Sequence, residues 1–387
     1  MDAKHDNHAR FLRIWGWTIT LALALTILFN YAMDPYGLLD TPRHKGFNAK
    51  KPLAPSHVRI AKPYQVVTFA PKTLISGNSR PEIGLDPANS CWEASERPVF
   101  NIGLPGSGIY QQARIIQHAL AGGSVQQVFW GLDFVDFHTR HEGIVNRWEE
   151  GNIHLEFEKR LRVTPDGNPN PSFSWRRLTE HFQTLVSLTA LKDSLATLLA
   201  QRDPYSSDIR RDGFNPARDY LGIIRWEGQP VLFEQKWKEL EKMFSRSNLS
   251  IYAGNDRWSP EFESVERLLK FAAARKVRVT LFINPYHESY LDIIEASGHQ
   301  PAFQEWKVRL AELAQDHGTA LWDFSLRNSI TGEDVPDTGG KKSIMRWFWE
   351  PAHYRKTFGD LMLSLMLGRA CAPELPPEKI GRRLTPE

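Results

Sequence analysis

The chain has 387 residues, 41% hydrophobic and 24% charged, enough apolar material for one large core or two modest ones, and disorder is not the default reading. Its 48 basic residues face 45 acidic ones with no long run of one sign, so no phosphate-tracking surface is implied and no nucleic-acid partner is expected. Two cysteines, Cys91 and Cys371, match no metal or redox spacing and are compatible with one disulfide in an oxidising compartment.

In chain order, the first element is an uncharged stretch from Ile14 to Met33, about the length that crosses the hydrocarbon core as a helix. Trp15, Trp17 and Tyr31 flank it as interfacial aromatics do, and Lys4, Arg10 and Arg13 precede it. With no second comparable run, residues 1–13 read as a cytoplasmic N-terminus and 14–33 as a single-pass signal anchor in the inner (cytoplasmic) membrane. The main body is then extracytoplasmic, in the periplasm. Arg43, Lys45, Lys50 and Lys51 follow the segment, so charge asymmetry alone does not set the orientation. The alternatives are a cleaved signal peptide or a buried core helix; the stretch is long for a signal sequence, and no small-x-small cleavage pattern stands near Ala32. Residues 34–71, rich in proline and basic residues without sustained periodicity, read as an irregular juxtamembrane stalk.

From Lys72 onward short apolar runs end in glycine or polar residues: Thr73 to Ser76, Val99 to Ile102, Val128 to Leu132, Val277 to Ile283 and Ala320 to Phe324. These read as buried strands. Helical patterns lie between them, clearest from Glu261 to Arg275, where Phe262, Val265, Leu268, Leu269 and Ala272 share a face, and again from Tyr354 to Leu367. The expected fold class is α/β, a parallel sheet covered on both sides as a three-layer α/β/α sandwich. Residues 138–257 break the rhythm, with helical segments at Leu178 to Leu199 and Phe233 to Phe244, and read as a helical cap insertion. The insertion divides a core of 72–137 and 258–370, and 371–387 form a tail. Ligands of such sheets bind beyond the carboxyl ends of the strands, which selects the residues after each apolar run.

The first run leads into Gly77-Asn78-Ser79-Arg80, placing a serine hydroxyl in the turn that leaves the sheet. Gly, Asn and Ser are ordinary turn formers, and a nucleophilic serine needs a base. Near the C-terminus, Glu350-Pro351-Ala352-His353 sets a carboxylate three residues before a histidine. Glu350 can hold one imidazole nitrogen while the other faces a nucleophile; otherwise the two are a helix-capping pair.

On these two blocks the chain resembles the SGNH hydrolase superfamily, and within it the membrane-anchored branch related to proteins that O-acetylate alginate and other cell-surface polysaccharides. The resemblance covers roughly Lys72 to Leu367 without the insertion. It implies Ser79 as nucleophile and His353 as general base, with Glu350 where the family carries aspartate. Asn101-Ile102-Gly103-Leu104-Pro105-Gly106-Ser107 resembles the glycine block that lends an amide to the oxyanion hole, with Gly106 favoured over Gly103. The family's third block is poorly met by Gly131-Leu132-Asp133-Phe134, where no asparagine stands; Asn78 or Asn101 is the substitute donor considered.

Arg80, Asp133, Asn284 and His287 are the substrate-binding candidates. Asp133, Asp136, His138 and His141 are close enough for a carboxylate–imidazole metal site, but apolar residues interleave them, and no metal or other cofactor is expected. The expected function is serine-dependent O-acyl transfer or ester hydrolysis on an extracytoplasmic glycan, with a membrane-bound acyltransferase as partner. The alternative is a catalytically impaired binding or assembly module of a polysaccharide export or modification system.

Overall fold

The protein's computed structural model describes residues 2–140, 154–245, 249–253, 257–336, 343–371 and 378–386. The strands are β1 (Thr73–Ser76), β2 (Val99–Asn101), β3 (Gln127–Leu132), β4 (Thr139–Arg140), β5 (Leu249–Ser250), β6 (Arg278–Ile283), β7 (Ala320–Asp323), β8 (Phe348–Glu350), β9 (His353–Tyr354) and β10 (Arg382–Arg383). The main sheet has the order β10-β7-β6-β3-β1-β2; all its pairings are parallel except β10 against β7. Arg382 and Arg383 thus add an antiparallel edge strand from a region read as tail.

The five parallel strands form where the apolar runs stand, because a parallel strand buried on both faces needs continuous rather than alternating hydrophobicity. β1 and β3 are buried along their whole length. Their alternate residues feed two separate cores. Leu74, Val128, Trp130, Leu281 and Ile283 pack with Ile115, Ile116, Val265 and Leu269. Ile75, Phe129 and Phe282 pack with Leu85, Phe358 and Met362. The helices supplying these partners are α3 (Ser79–Gly84), α4 (Ile109–Leu120), α9 (Pro260–Ala273) and α12 (Lys356–Leu367), numbered in chain order; Leu85 directly follows α3. The register aligns Ser76 with Trp130, Leu132 with Ile283 and Ile283 with Asp323, bringing the carboxyl ends of four strands to one edge.

The first helix, α1 (Asp2–Met33), contains a span from Asn7 to Met33 long and apolar enough to cross a membrane, and none of its most apolar window is buried. The segment after it departs from the expected irregular stalk. Asn48 Nδ2 donates to the Ala32 carbonyl at 2.7 Å and the buried Lys51 Nζ to the Met33 carbonyl at 2.6 Å, capping the last turn of α1. Burial pushes the Lys51 ammonium down to about 8. Residues Val58–Phe69 then form α2, which buries Val58, Ala61, Lys62, Tyr64 and Val66 despite an internal Pro63. Proline and charge obscure this helix in the sequence, yet Lys51 before it caps α1 and Lys62 within it lies in the core.

The insertion opens and closes on the antiparallel pair of β4 with β5. Where one helix was expected over 178–199, two stand: α5 (Ser172–Val186) and α6 (Leu188–Ala200), broken at Ser187, whose hydroxyl caps α6 by accepting from the Ala190 amide. They pack against α1. Further on, α7 (Arg218–Glu227) and α8 (Gln229–Phe244) share a small apolar cluster with Ile83 of α3 and Trp349 of β8. Two further helices are α10 (Glu288–Ala296) and α11 (Gln300–Asp316).

Candidate active site

The turn after β1 depends on Gly77, at φ +140°; a Cβ there would stand 2.7 Å from the Gly131 carbonyl and from Pro81. Asn78 is the N-cap of α3, its side-chain oxygen accepting from the Arg80 amide at 3.0 Å. Ser79 is therefore the first helical residue, and its N–H has no acceptor within the helix.

The acid–histidine pair is not a helix cap. β8 and β9 form a small antiparallel hairpin in which Glu350 pairs with His353 across Pro351-Ala352, and α12 starts only at Lys356. His353 Nε2 lies 2.7 Å from Ser79 Oγ, although 274 positions separate them in sequence. Its Nδ1 is in hydrogen-bond contact with Glu350 Oε1, while Oε2 accepts from the Ala352 amide at 2.8 Å. Glu350 is buried, whereas Ser79 and His353 are half-buried. Burial pushes the Glu350 carboxyl up, but the His353 charge and hydrogen bond more than offset this and hold it below the usual carboxylate range. A carboxylate fixed as acceptor makes Nδ1 the protonated nitrogen and leaves Nε2 free to take the serine proton.

The two halves approach closely at two glycines. A Cβ on Gly359 of α12 would run into the backbone carbonyl of Gly84 in α3, and one on Gly84 would run into the Tyr354 ring. The turn is steadied from the next strand end, where the His287 amide donates to the Pro351 carbonyl at 3.0 Å.

The four substrate-binding candidates are buried, with their polar groups turned to partners inside the protein. Asp133 pairs with Arg80 and accepts from Asn78 Nδ2 at 2.6 Å, Asn284 Nδ2 at 3.1 Å and the Tyr286 hydroxyl at 2.9 Å. The Arg80 guanidinium lies over the Tyr286 and Tyr290 rings at 4.6 and 5.2 Å. His287 caps α10 through Nδ1 and donates from Nε2 to the Glu333 carbonyl at 2.9 Å. These residues brace the floor of the serine turn.

The oxyanion candidates separate in the same way. The Asn78 amide also reaches Asp136 at 3.0 Å, so both its donors meet carboxylates. Asn101 Nδ2 donates to the carbonyls of Pro81 and Leu85, and Asn101 Oδ1 accepts from the Gly103 amide at 3.0 Å. Gly106, favoured from sequence, is exposed at φ +63° with nothing closer than Arg59, 4.0 Å from an added Cβ. Gly103 is the glycine against the serine turn, 3.0 Å from the Asn78 carbonyl on the same measure. Its N–H donates to Asn101 in this state, so the Ser79 N–H is the donor that the helix start leaves open.

Several neighbours were not legible in the sequence. Tyr220 of α7 places its ring 6.2 Å from the His353 imidazole and 5.5 Å from Trp349, so the insertion packs against the β8–β9 hairpin. Lys62 and Glu82 form a wholly buried ion pair at 2.7 Å, and the same ammonium donates to the Gly103 carbonyl at 2.6 Å. Burial pushes the Lys62 ammonium down and the Glu82 carboxyl up, each partly offset by the other. Glu82 follows Ser79 by three positions, but nothing local marks Lys62 as its partner. Of the metal candidates, His141 lies outside the described residues, and the Asp133 carboxylate is occupied by the network above. Scanned against protein-family models the chain matches none, and no curated protein matches it.

Proposed function

We propose that this chain is a membrane-anchored serine acyltransferase or acylesterase of the SGNH type, acting on an extracytoplasmic polysaccharide by O-acetyl transfer or removal. The single observation that carries the reading is the continuous relay from Ser79 Oγ through His353 to Glu350, built from opposite ends of the chain. In the forward half-reaction, Ser79 Oγ attacks the ester carbonyl while His353 Nε2 takes its proton. The tetrahedral oxyanion faces the Ser79 N–H. Collapse expels the leaving alkoxide, which receives the proton from Nε2, and an acyl-serine remains. A sugar hydroxyl or water then attacks that ester by the reverse proton path, giving transferase or esterase. Glu350 stays anionic throughout and stabilises the imidazolium.

The two cores on alternate strand residues fit a three-layer α/β/α sandwich, the architecture of that superfamily. The Cys91–Cys371 disulfide fits an oxidising compartment such as the periplasm, with α1 as the anchor. A membrane-bound acyltransferase is the partner that would deliver acyl groups to such a site.

A second reading, a binding or assembly module with impaired catalysis, is favoured by the occupied donors of Asn78, Asn101 and Gly103. Losing one oxyanion donor costs about 3 kcal/mol of transition-state stabilisation. Labelling of the purified full chain by a fluorophosphonate probe decides between them. The enzyme reading expects covalent label on the wild type and its loss in Ser79→Ala. No label on the wild type, or equal label on both, favours the module.

A further inference from the structure

We propose that the α5–α6 hairpin lies in the extracytoplasmic interface of the same bilayer that α1 crosses, its outward apolar face covered by lipid. The inference rests on reading α1 as a membrane anchor and is independent of the serine chemistry.

The hairpin is inside out for a helix pair facing water. Trp175, Leu178 and Phe182 line one side of α5, and Leu188, Leu195 and Leu199 one side of α6; these six expose between 50% and 80% of their surface. The buried residues of the two helices are instead Glu180, Thr184, Ala190, Ser194 and Thr197. Their polar groups are satisfied inside. Glu180 accepts from the Tyr64 hydroxyl at 2.7 Å and pairs with Arg160 at 2.6 Å, and the Thr184 hydroxyl donates to the Glu180 carbonyl at 2.9 Å. Water on the outer face would leave six large apolar side chains uncovered, whereas an apolar medium suits both faces.

Continuity with α1 identifies that medium. The wholly buried Asn30 of α1 donates to the Leu185 carbonyl at 2.9 Å, and its Oδ1 accepts from Ser194 at 2.9 Å, clamping both hairpin helices to the anchor. Asn30 precedes Met33 by three residues, so the clamp lies roughly 5 Å inside the end of the apolar run at helical rise. That is the depth at which interfacial helices bury their apolar side. The caps from Asn48 and Lys51 make the junction stiff, so the bilayer that holds α1 also receives the hairpin.

The test uses the full chain, whose native cysteines are paired, with one added cysteine at a time carrying an environment-sensitive fluorophore. Phe182→Cys and Leu195→Cys probe the hairpin, Leu23→Cys the anchor, and Glu312→Cys, at a partly exposed position of α11, the water-facing body. Each is placed, as the sole protein, in phosphatidylcholine–phosphatidylglycerol nanodiscs. The hairpin probes are expected to lose roughly half their emission to a headgroup-level lipid quencher and to resist aqueous iodide as Leu23→Cys does. Glu312→Cys should behave in the opposite way. If the hairpin probes respond to iodide like Glu312→Cys while Leu23→Cys stays shielded, the hairpin inference fails and the anchor stands. If Leu23→Cys is also open to iodide, the anchor reading fails and takes the inference with it. Shielding that appears only after a second membrane protein is added assigns the face to a protein partner and overturns the lipid proposal.

Discussion

At Glu350 the extra methylene relative to aspartate is absorbed by the hairpin turn, which lets one carboxylate oxygen meet His353 and the other the Ala352 amide. Its carboxyl is held lower in the folded chain than in the unfolded one. The stability it contributes is therefore fully present above the ordinary carboxylate value near about 4.3 and is lost as pH falls through the lower folded value. Glu350→Gln removes both the charge and that dependence. We expect the rate of probe labelling to fall by roughly two to four orders of magnitude, and the acid limb of the thermal-stability profile to flatten. Wild-type labelling by this variant would remove Glu350 from the relay. Arg80 and Asp133 teach a related lesson: a charged residue at a strand end looks the same in sequence whether it meets substrate or a buried partner, and here each meets the other.

At the scale of elements, α3 and α12 touch through Gly84 and Gly359, and the spacing of Ser79 and His353 is expected to depend on that contact. Gly359→Ala puts a methyl group where the Gly84 carbonyl stands. The expected cost is about 1–3 kcal/mol of stability, because backbone cannot move aside as a flexible side chain does. Probe labelling should fall further than that loss explains, since Ser79 and His353 are carried on the two sides of the contact. Melting temperature and labelling rate measured together check this; a destabilised protein that labels at the wild-type rate would show that the helix contact does not set the site. The insertion acts at the same scale, since Tyr220 lies beside the imidazole while α5 and α6 pack against α1. One excursion of the chain thus touches both the candidate site and the long apolar helix α1.

Over the whole molecule, the Cys91–Cys371 bridge closes a separation of 280 residues at a Cα–Cα distance of 5.3 Å. It ties the segment after α12 to the loop between α3 and β2, where Arg369 also donates to Glu96 at 2.6 Å and to the Cys91 carbonyl at 2.8 Å. Cys91→Ser is expected to cost about 2–4 kcal/mol. The check is a thermal melt with and without reductant: the wild type should lose stability on reduction and the variant should not respond. A wild type indifferent to reductant would show that the bridge does not constrain the unfolded chain.

The five parallel strands are legible in the residue order to within a residue at each end, together with the face of α9 and the apolar run of α1. Buried strands, amphipathic helices and apolar spans are written in local patterns of hydrophobicity, which need no knowledge of the partner. Ser79 and the Glu350–His353 pair were legible as a turn serine and a loop acid–histidine for the same local reason. Three-dimensional packing alone shows that they meet, that Gly103 rather than Gly106 adjoins the serine turn, that Lys51 and Lys62 are buried, and that the segment after α1 folds. Each of these depends on which distant backbone comes close, and such close approach is set by sheet order and by glycine contacts rather than by any residue's neighbours in the chain.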